Sequence, residues 1–190
     1  MAVDLEWLSD VDWFTGFGPY GLFVLAFVES IFFLVPPDVM LLPLAIARPS
    51  LSLVYALITT IGSVLGGLFG YFLGKRAGRP LLLRFASGSR IKQLEELFAK
   101  YGAWAVATAA LTPIPYKVFT IGGGIFRVPL LSFTIASVAG RGLRFGMEAL
   151  LVMMLGERAT DFFYRDFEWL TIAIAVVAVI VALIVGKRKQ

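Results

Sequence analysis

The chain reads as an all-α membrane protein: an inverted repeat of two re-entrant helical hairpins, each followed by a transmembrane helix, with one more transmembrane helix at the C-terminus. Three observations predict this. Of 190 residues, 59% are hydrophobic and 16% charged, with a mean hydropathy of +0.86, far from the mixture of a soluble domain. Two apolar stretches are broken by proline and charge: Glu29-Ser30 ahead of Pro36-Pro37-Asp38, Pro43 and Arg48, and Thr112-Pro113-Ile114-Pro115-Tyr116-Lys117 running through Thr120 to Gly122-Gly123-Gly124 and Arg127. An unpaired peptide group in hydrocarbon costs several kcal/mol, so broken backbone at membrane depth survives only inside protein or beside a wet cavity. Finally, each break precedes an uninterrupted run long enough to cross a bilayer.

Taken in order, residues 1–18 combine Asp4, Glu6, Asp10 and Asp12 with Leu5, Trp7, Leu8, Trp13 and Phe14, which predicts an interfacial segment on the outer side. Acids stand where the basic region of a cleaved signal would be, so the N-terminus is expected to be retained. Residues 19–48 form the first hairpin: Pro36-Pro37 ends any helix there, and residues 38–47 fall short of the roughly 20 needed to span. Residues 51–74 are a full span. Within it and beyond, Gly62, Gly66, Gly70, Gly74 and Gly78 recur at every fourth position, which predicts one close-packing face, serving the repeat interface or a homodimer.

The segment 75–101 carries Lys75, Arg76, Arg79, Arg84, Arg90, Lys92 and Lys100 against Glu95 and Glu96, and is cytoplasmic by its positive excess. Ile91, Leu94, Leu97, Phe98 and Tyr101 at helical spacing predict an amphipathic surface helix that stops at Gly102. Residues 102–127 form the second hairpin, and 129–155 a span containing Arg141, Arg144 and Glu148. The connector 156–168 has no positive bias. A last span, 169–186, opens at Trp169 and closes on Lys187-Arg188-Lys189. Counting crossings places the N-terminus outside and the C-terminus in the cytoplasm. The halves then face opposite ways, which predicts a site near the midplane between broken helices.

Composition also excludes. The chain has no cysteine and no histidine, which removes thiolate nucleophiles, disulfides, imidazole bases and the commonest transition-metal ligands. No cofactor or metal is expected, and enzyme is the class least supported, because no nucleophile and base pair can be assembled. The net charge of +4 sits in loops beside apolar spans, which fits topology and anionic lipid rather than nucleic acid.

Glu29-Ser30 ahead of Pro36-Pro37-Asp38, the glycine ladder with Tyr71 ending in Gly74-Lys75-Arg76-Ala77-Gly78-Arg79, the Thr112 to Gly124 stretch and Gly140-Arg141 together resemble the DedA family, also called the VTT or SNARE-associated membrane domain. The resemblance covers roughly residues 20–155 and rests on order and spacing. It implies two opposed re-entrant hairpins and movement of undecaprenyl phosphate or other lipids across the bacterial inner membrane, in several members driven by the proton gradient. It also implies essential acids in the first hairpin, at Glu29 and Asp38, and basic residues in the second, at Lys117 and Arg127. The chain departs from its better-studied members in having Ala110-Leu111-Thr112 before Pro113, and lysine at 117, where those members carry arginine.

Read from the residues alone, Glu29 and Asp38 are ionisable groups in apolar sequence and mark a functional path, suited to loading and releasing a proton; Asp38 reads equally as the cap of the helix after Pro37. Lys117 and Arg127 flank the second break and would hold a phosphate together with free helix N-termini; the alternatives are a structural pairing of Lys117 with Glu29 or Asp38 and an interfacial anchor at Arg127. Arg141, Arg144 and Glu148 share one helix face. Arg144 with Glu148 reads as a self-satisfied pair, leaving Arg141 for a substrate or a hairpin acid. The expectation is a proton-coupled flippase for an anionic lipid phosphate, with substrate contacts at Lys117, Arg141, Arg127 and Arg144 and proton coupling at Glu29 and Asp38. A small-ion or solute channel or exchanger, and a non-transporting assembly factor, are the competing readings.

Overall fold

The computed structural model of the chain describes residues 12–32, 35–78, 88–112 and 115–156, and every regular element among them is helical. The connector beyond Gly156 and the span expected at 169–186 lie outside the described residues, as does most of the expected N-terminal interfacial segment.

Helix α1 covers Asp12–Glu29, with a kink at Gly18 (φ 51°, ψ −140°) immediately before Pro19. Proline fits there because its ring presets the first helical φ and no donor is lost. Helix α2, Asp38–Ala47, has ten residues and is about 15 Å long, half the hydrocarbon thickness. A short 3-10 turn, Pro49–Leu51, leads into α3, Ser52–Leu73, which a π-helical turn at Gly74–Gly78 prolongs. Helix α4 is Gly88–Leu111, α5 is Tyr116–Ile125, and α6 is Leu130–Leu155.

The expected stop at Gly102 is not there. Helix α4 runs through it, so the amphipathic segment and the arm leading to the second break are one helix. An interior glycine costs a helix only about 1 kcal/mol. At Gly102 it also makes room, because a Cβ would come within 2.6 Å of Val128 Cγ2.

Helices α3 and α6 lie against each other at the centre. Helix α1 packs along α3, α4 along α6, α5 against α3, and α2 touches both α3 and α6. The glycine ladder serves this packing but does not lie on one face. Gly62 and Gly66 sit under the carbonyls of Phe23 and Phe27 on α1, whereas Gly70, Gly74 and Gly78 sit under Thr120, Ile121 and Ile125 of α5. The reason is helical period: a four-residue repeat advances about 40° per step, so five glycines sweep about 160°. Helices α1 and α5 are both thereby seated on α3 within the chain.

Helix α3 is inverted relative to a soluble helix. Its exposed side carries Val54, Leu57, Ile61, Leu65, Phe69 and Phe72, while its buried side carries Ser52, Thr59, Thr60, Ser63 and glycine. An apolar exterior over a small, hydroxylated interior is what lipid surroundings select. By length and composition the stretch Pro49–Gly78, at a hydropathy of 1.8, is long and apolar enough to cross a membrane, the one such stretch among the described residues. Helix α6, at 26 residues, has the length, but it carries three charged side chains inward.

Two apolar cores flank that charge. One joins Leu22, Leu41, Tyr55, Phe145 and Val152; the other joins Tyr71, Val106, Tyr116, Val128 and Phe133. The first ties α2 to the middle of α1, the N-terminal part of α3 and the C-terminal half of α6, and the second ties α4, α5 and the N-terminal part of α6 to the C-terminal part of α3. Between them, on α6, lie Ser137, Gly140, Arg141 and Arg144.

Candidate functional site

The prolines that break the two helix pairs also determine what those breaks offer. After Glu29, a short turn closes α1 through Ser30 N–H to Ala26 O and Phe32 N–H to Val28 O, leaving Glu29 and Ser30 at the helix end. Helix α2 starts directly after Pro37 with Asp38 as its first residue and no side-chain cap. The capping bond that Asp38 was equally expected to make does not form; its carboxylate reaches α6 instead. At the second break, α4 ends at Leu111 and α5 begins at Tyr116, again without a side-chain cap.

Both breaks converge on the arginines of α6. Arg141 Nη2 donates to Glu29 Oε2 at 3.0 Å, across 112 residues of chain. Its Nε donates to Ser63 Oγ at 2.6 Å, and Ser63 lies 2.7 Å from Ser30 Oγ, which donates to Ala26 O at 2.9 Å. The two hydroxyls thus extend the Arg141 contact from α3 to the end of α1. The Arg141 guanidinium also lies 5.1 Å from the Tyr116 ring centroid and 4.7 Å from that of Phe145. Those distances are within cation–π range, and they put aromatic faces where water would otherwise solvate the charge.

Arg144 is divided three ways. Nη2 donates to Asp38 Oδ2 at 2.6 Å, Nε to Glu148 Oε1 at 3.3 Å, and Nη1 to the Thr112 carbonyl at 3.2 Å. The last acceptor belongs to the final turn of α4, where helix termini leave carbonyls without intrahelical partners. Burial is graded across the cluster: side chains of Glu148 and Arg141 are 1% and 4% exposed, whereas Glu29 and Asp38 are 21% and 24% exposed. Buried ions of this kind are tolerated only when paired and hydrogen-bonded. The arginines are thus the fixed interior charges, and the acids of the first break are their accessible counter-ions.

The expected site residues take different places in the structure. Glu29, Asp38, Arg141 and Arg144 are brought together. Lys117 stands half-buried in the first turn of α5, next to Tyr116, with its carbonyl accepting from Thr120 Oγ1 at 2.9 Å. Arg127 is exposed, with a left-handed φ of 54°, in the turn after the far end of α5; the length of that helix, about 15 Å, separates it from the break. Sequence reasoning missed Ser30, Ser63, Tyr116 and the Thr112 carbonyl. Ser63 carried a readable signal, since a hydroxyl beside Gly62 on the close-packed side of a membrane helix is placed for interhelical hydrogen bonding.

Helices broken by proline, meeting at buried and paired charge beneath an apolar exterior, define an integral membrane protein with an internal ionic site. The chain belongs to the VTT domain family, the DedA family, whose signature matches residues 35–156. That range includes Asp38, Lys117, Arg141, Arg144 and Glu148, and begins after Glu29. An uncharacterized protein of Haemophilus influenzae is 32% identical over 168 residues, covering 85% of this chain and 88% of that one. A Staphylococcus aureus protein named undecaprenyl phosphate transporter A is 28% identical over 196 residues, covering 92% of this chain and 94% of its own. A Bacillus subtilis protein of the same name is 28% identical over 134 residues, covering 66% of each chain. No solved structure matches the chain significantly.

Proposed function

We propose that this protein is a proton-coupled transporter that moves an anionic lipid, of the polyprenyl phosphate class, across the bacterial inner membrane. The observation that carries the reading is that two inward-facing arginines, Arg141 buried and Arg144 partly so, are paired with carboxylates contributed from a separate, more accessible helix break. A phosphate can take the place of a carboxylate on a guanidinium through charge-assisted hydrogen bonds from the same donors. Protonation of Glu29 and Asp38 would release Arg141 and Arg144 for the lipid phosphate, and deprotonation would return the acids and expel it. Lys117, in the uncapped first turn of α5, would add charge beside helix amide donors.

Further support comes from the surroundings. An apolar groove of about 460 Å³ runs along α1, lined by residues including Tyr20, Val24, Leu25 and Val28, with Met40 of α2 at its side. Its lining ends one residue from Glu29 and two from Asp38, which suits a hydrocarbon tail beside a charged head and favours a lipid over a small solute. The packing also supports two inverted re-entrant hairpins: α1 lies on α3 as α4 lies on α6, and α5 touches α3 as α2 touches α6. The relatives named as undecaprenyl phosphate transporters supply the substrate class.

The test is flipping of a labelled undecaprenyl phosphate analogue in proteoliposomes, with and without a pH gradient, for wild type, Glu29→Gln and Lys117→Ala. Acceleration by wild type that responds to the gradient and is lost in both folded variants is the expected result. Wild-type rates equal to those of empty liposomes would instead move the solute-exchange and assembly-factor readings ahead.

A further inference from the structure

Two departures from regular helix meet at one spot, and both carry exposed cations. The first is the π-helical turn Gly74–Gly78 at the end of α3, a rare geometry found often at functional sites. Gly74 and Gly78 are buried against Ile121 and Ile125 of α5, and Lys75 and Arg76 stand exposed between them. The second is the end of α5. Arg127 N–H donates to Gly124 O at 3.2 Å and Val128 N–H to Gly123 O at 2.9 Å, the two bonds of a Schellman cap, with Arg127 at its left-handed position (φ 54°). Glycine takes that conformation without strain and is the usual residue there. Arg127 is the one residue other than glycine with a positive φ among the described residues, and it is exposed.

Gly124 joins the two departures. An ideal Cβ on it would lie 2.8 Å from the Lys75 nitrogen, and its carbonyl is the acceptor for Arg127, so the backbones of Lys75 and Arg127 flank one glycine. Among the described residues no carboxylate pairs with Lys75, Arg76 or Arg127. Around the turn, Phe126 stacks on Phe98 of α4 at 4.6 Å and Tyr71 Oη donates to the Val128 carbonyl, which holds the corner in place. The π turn also closes the stretch Pro49–Gly78, which is long and apolar enough to cross a membrane, and a cation at the end of such a stretch stands at headgroup depth. Phe72 and Leu73, just ahead of it, are exposed and apolar, a surface for acyl chains.

We propose that Lys75, Arg76 and Arg127 form a binding site for the headgroup of an anionic phospholipid, with a two-phosphate headgroup, as in cardiolipin, held best. Three cations exceed the charge of a single phosphodiester, and basic clusters between helix ends suit paired phosphates. An arginine that only snorkelled to the interface would need no left-handed backbone; strain of this kind persists where the position of the side chain is used. About 15 Å of helix α5 separates Arg127 from the break, so the site stands apart from the transport reading.

Native mass spectrometry of the full chain in detergent, titrated separately with cardiolipin, phosphatidylglycerol and phosphatidylcholine, reads the site directly. Wild type should hold cardiolipin most tightly and phosphatidylcholine least. Each lost cation should weaken cardiolipin binding about fivefold, so Arg127→Gln by about fivefold and the Lys75→Gln, Arg76→Gln pair by about twenty-fivefold. Arg48→Gln, which removes an exposed cation beyond the other end of α3, should leave binding within about twofold. Arg127→Gly is the sharpest variant: it removes the cation together with the backbone strain, so it should lose lipid yet melt higher than wild type in lipid-free detergent. Equal binding of all three lipids, equal losses in Arg48→Gln, full displacement of cardiolipin by inorganic phosphate, or cardiolipin retained by Arg127→Gly would each overturn the site. Arg127→Gly melting below wild type would overturn it too, since the arginine would then be kept to cap the helix. Melting temperatures identify a glutamine variant that fails to fold, and the lipid series on wild type together with Arg127→Gly then decides the matter.

Discussion

The two helix breaks do different work at one site. The first, between α1 and α2, contributes carboxylates: Glu29 at 3.0 Å from Arg141 and Asp38 at 2.6 Å from Arg144. The second, between α4 and α5, contributes no carboxylate among its described residues; it presents the Thr112 carbonyl, the Tyr116 ring and, half-buried, Lys117. Proline bounds both breaks but not in the same way: Pro113 forces Thr112 out of helix at the end of α4, whereas α1 already ends at Glu29 and Pro36-Pro37 set the start of α2. What also differs is which side chains stand at the exposed helix ends. In the transport reading proposed above, a negative ligand would meet competing carboxylates on one side and, on the other, a break that brings no carboxylate among its described residues, so that a pair of similar breaks would become a site with direction.

The strongest way to break that contrast is to remove the cation both breaks share. Arg141→Ala leaves Glu29 without its counter-ion, Ser63 with only Ser30 as partner and two aromatic faces without their charge. It should cost about 3–5 kcal/mol, read as a large fall in melting temperature, and should abolish transport. Adding Glu29→Gln to Arg141→Ala should recover part of the stability, because the uncompensated acid is gone. If the double variant is no more stable than the single, Glu29 is sufficiently solvated on its own and the first break does not act as a counter-ion.

Seating of the breaks against α3 gives the next effects. A Cβ at Gly66 would strike the Phe27 carbonyl below the first break, and one at Gly124 the Tyr71 carbonyl below the second. Backbone cannot yield as a side-chain tip does, so each alanine variant should lose about 1–3 kcal/mol. Gly146, with nothing within 4 Å of its ideal Cβ, is the control: alanine there should raise stability by up to about 1 kcal/mol through helix propensity. Thermal melting of the three variants in one detergent checks this order, and a neutral Gly124→Ala would mean that α5 is not held against α3.

Lys117 and Arg127 sharpen the second break specifically. Lys117→Ala should slow transport roughly tenfold or more, the worth of one charge-assisted contact, while Arg127→Ala, at the other end of α5, should leave the rate within about twofold. Equal losses in proteoliposome flux would show that the basic residues act by surface charge rather than at the break.

Much of this was legible in the sequence for a definite reason. Proline and glycine act locally, so the breaks at 33–37 and 112–115 and the close approaches along Gly62–Gly78 could be read from single residues and their spacing. Arg141, Arg144 and Glu148 could be placed on one face from helical period. Partner choice could not: Arg141 and Glu29 lie 112 residues apart, and nothing local tells an arginine which of two acids it will meet. The Arg144–Glu148 pair was visible as an i, i+4 contact, yet Asp38 and the Thr112 carbonyl share the same guanidinium. Backbone acceptors and hydroxyl relays such as Ser63 to Ser30 carry no charge pattern. The misplaced stop at Gly102 came from weighing a local propensity above the packing that overrides it.

The smallest expected effects concern two tyrosine hydroxyls, and they have opposite signs. Tyr71 Oη donates to the Val128 carbonyl at 2.7 Å, so Tyr71→Phe should cost about 1 kcal/mol. Tyr116 Oη is buried facing the buried hydroxyl of Ser137 without a well-formed hydrogen bond to it, while its ring lies against Arg141. Phenylalanine keeps the ring and removes an unsatisfied oxygen, so Tyr116→Phe should leave stability unchanged or raise it by up to about 1 kcal/mol. A clear loss of stability in Tyr116→Phe would mean that its hydroxyl is partnered in the membrane. The second break would then also hold Arg141's surroundings by hydrogen bonding, and the contrast between an ionic and an aromatic side of the site would narrow to Glu29 and Asp38 alone.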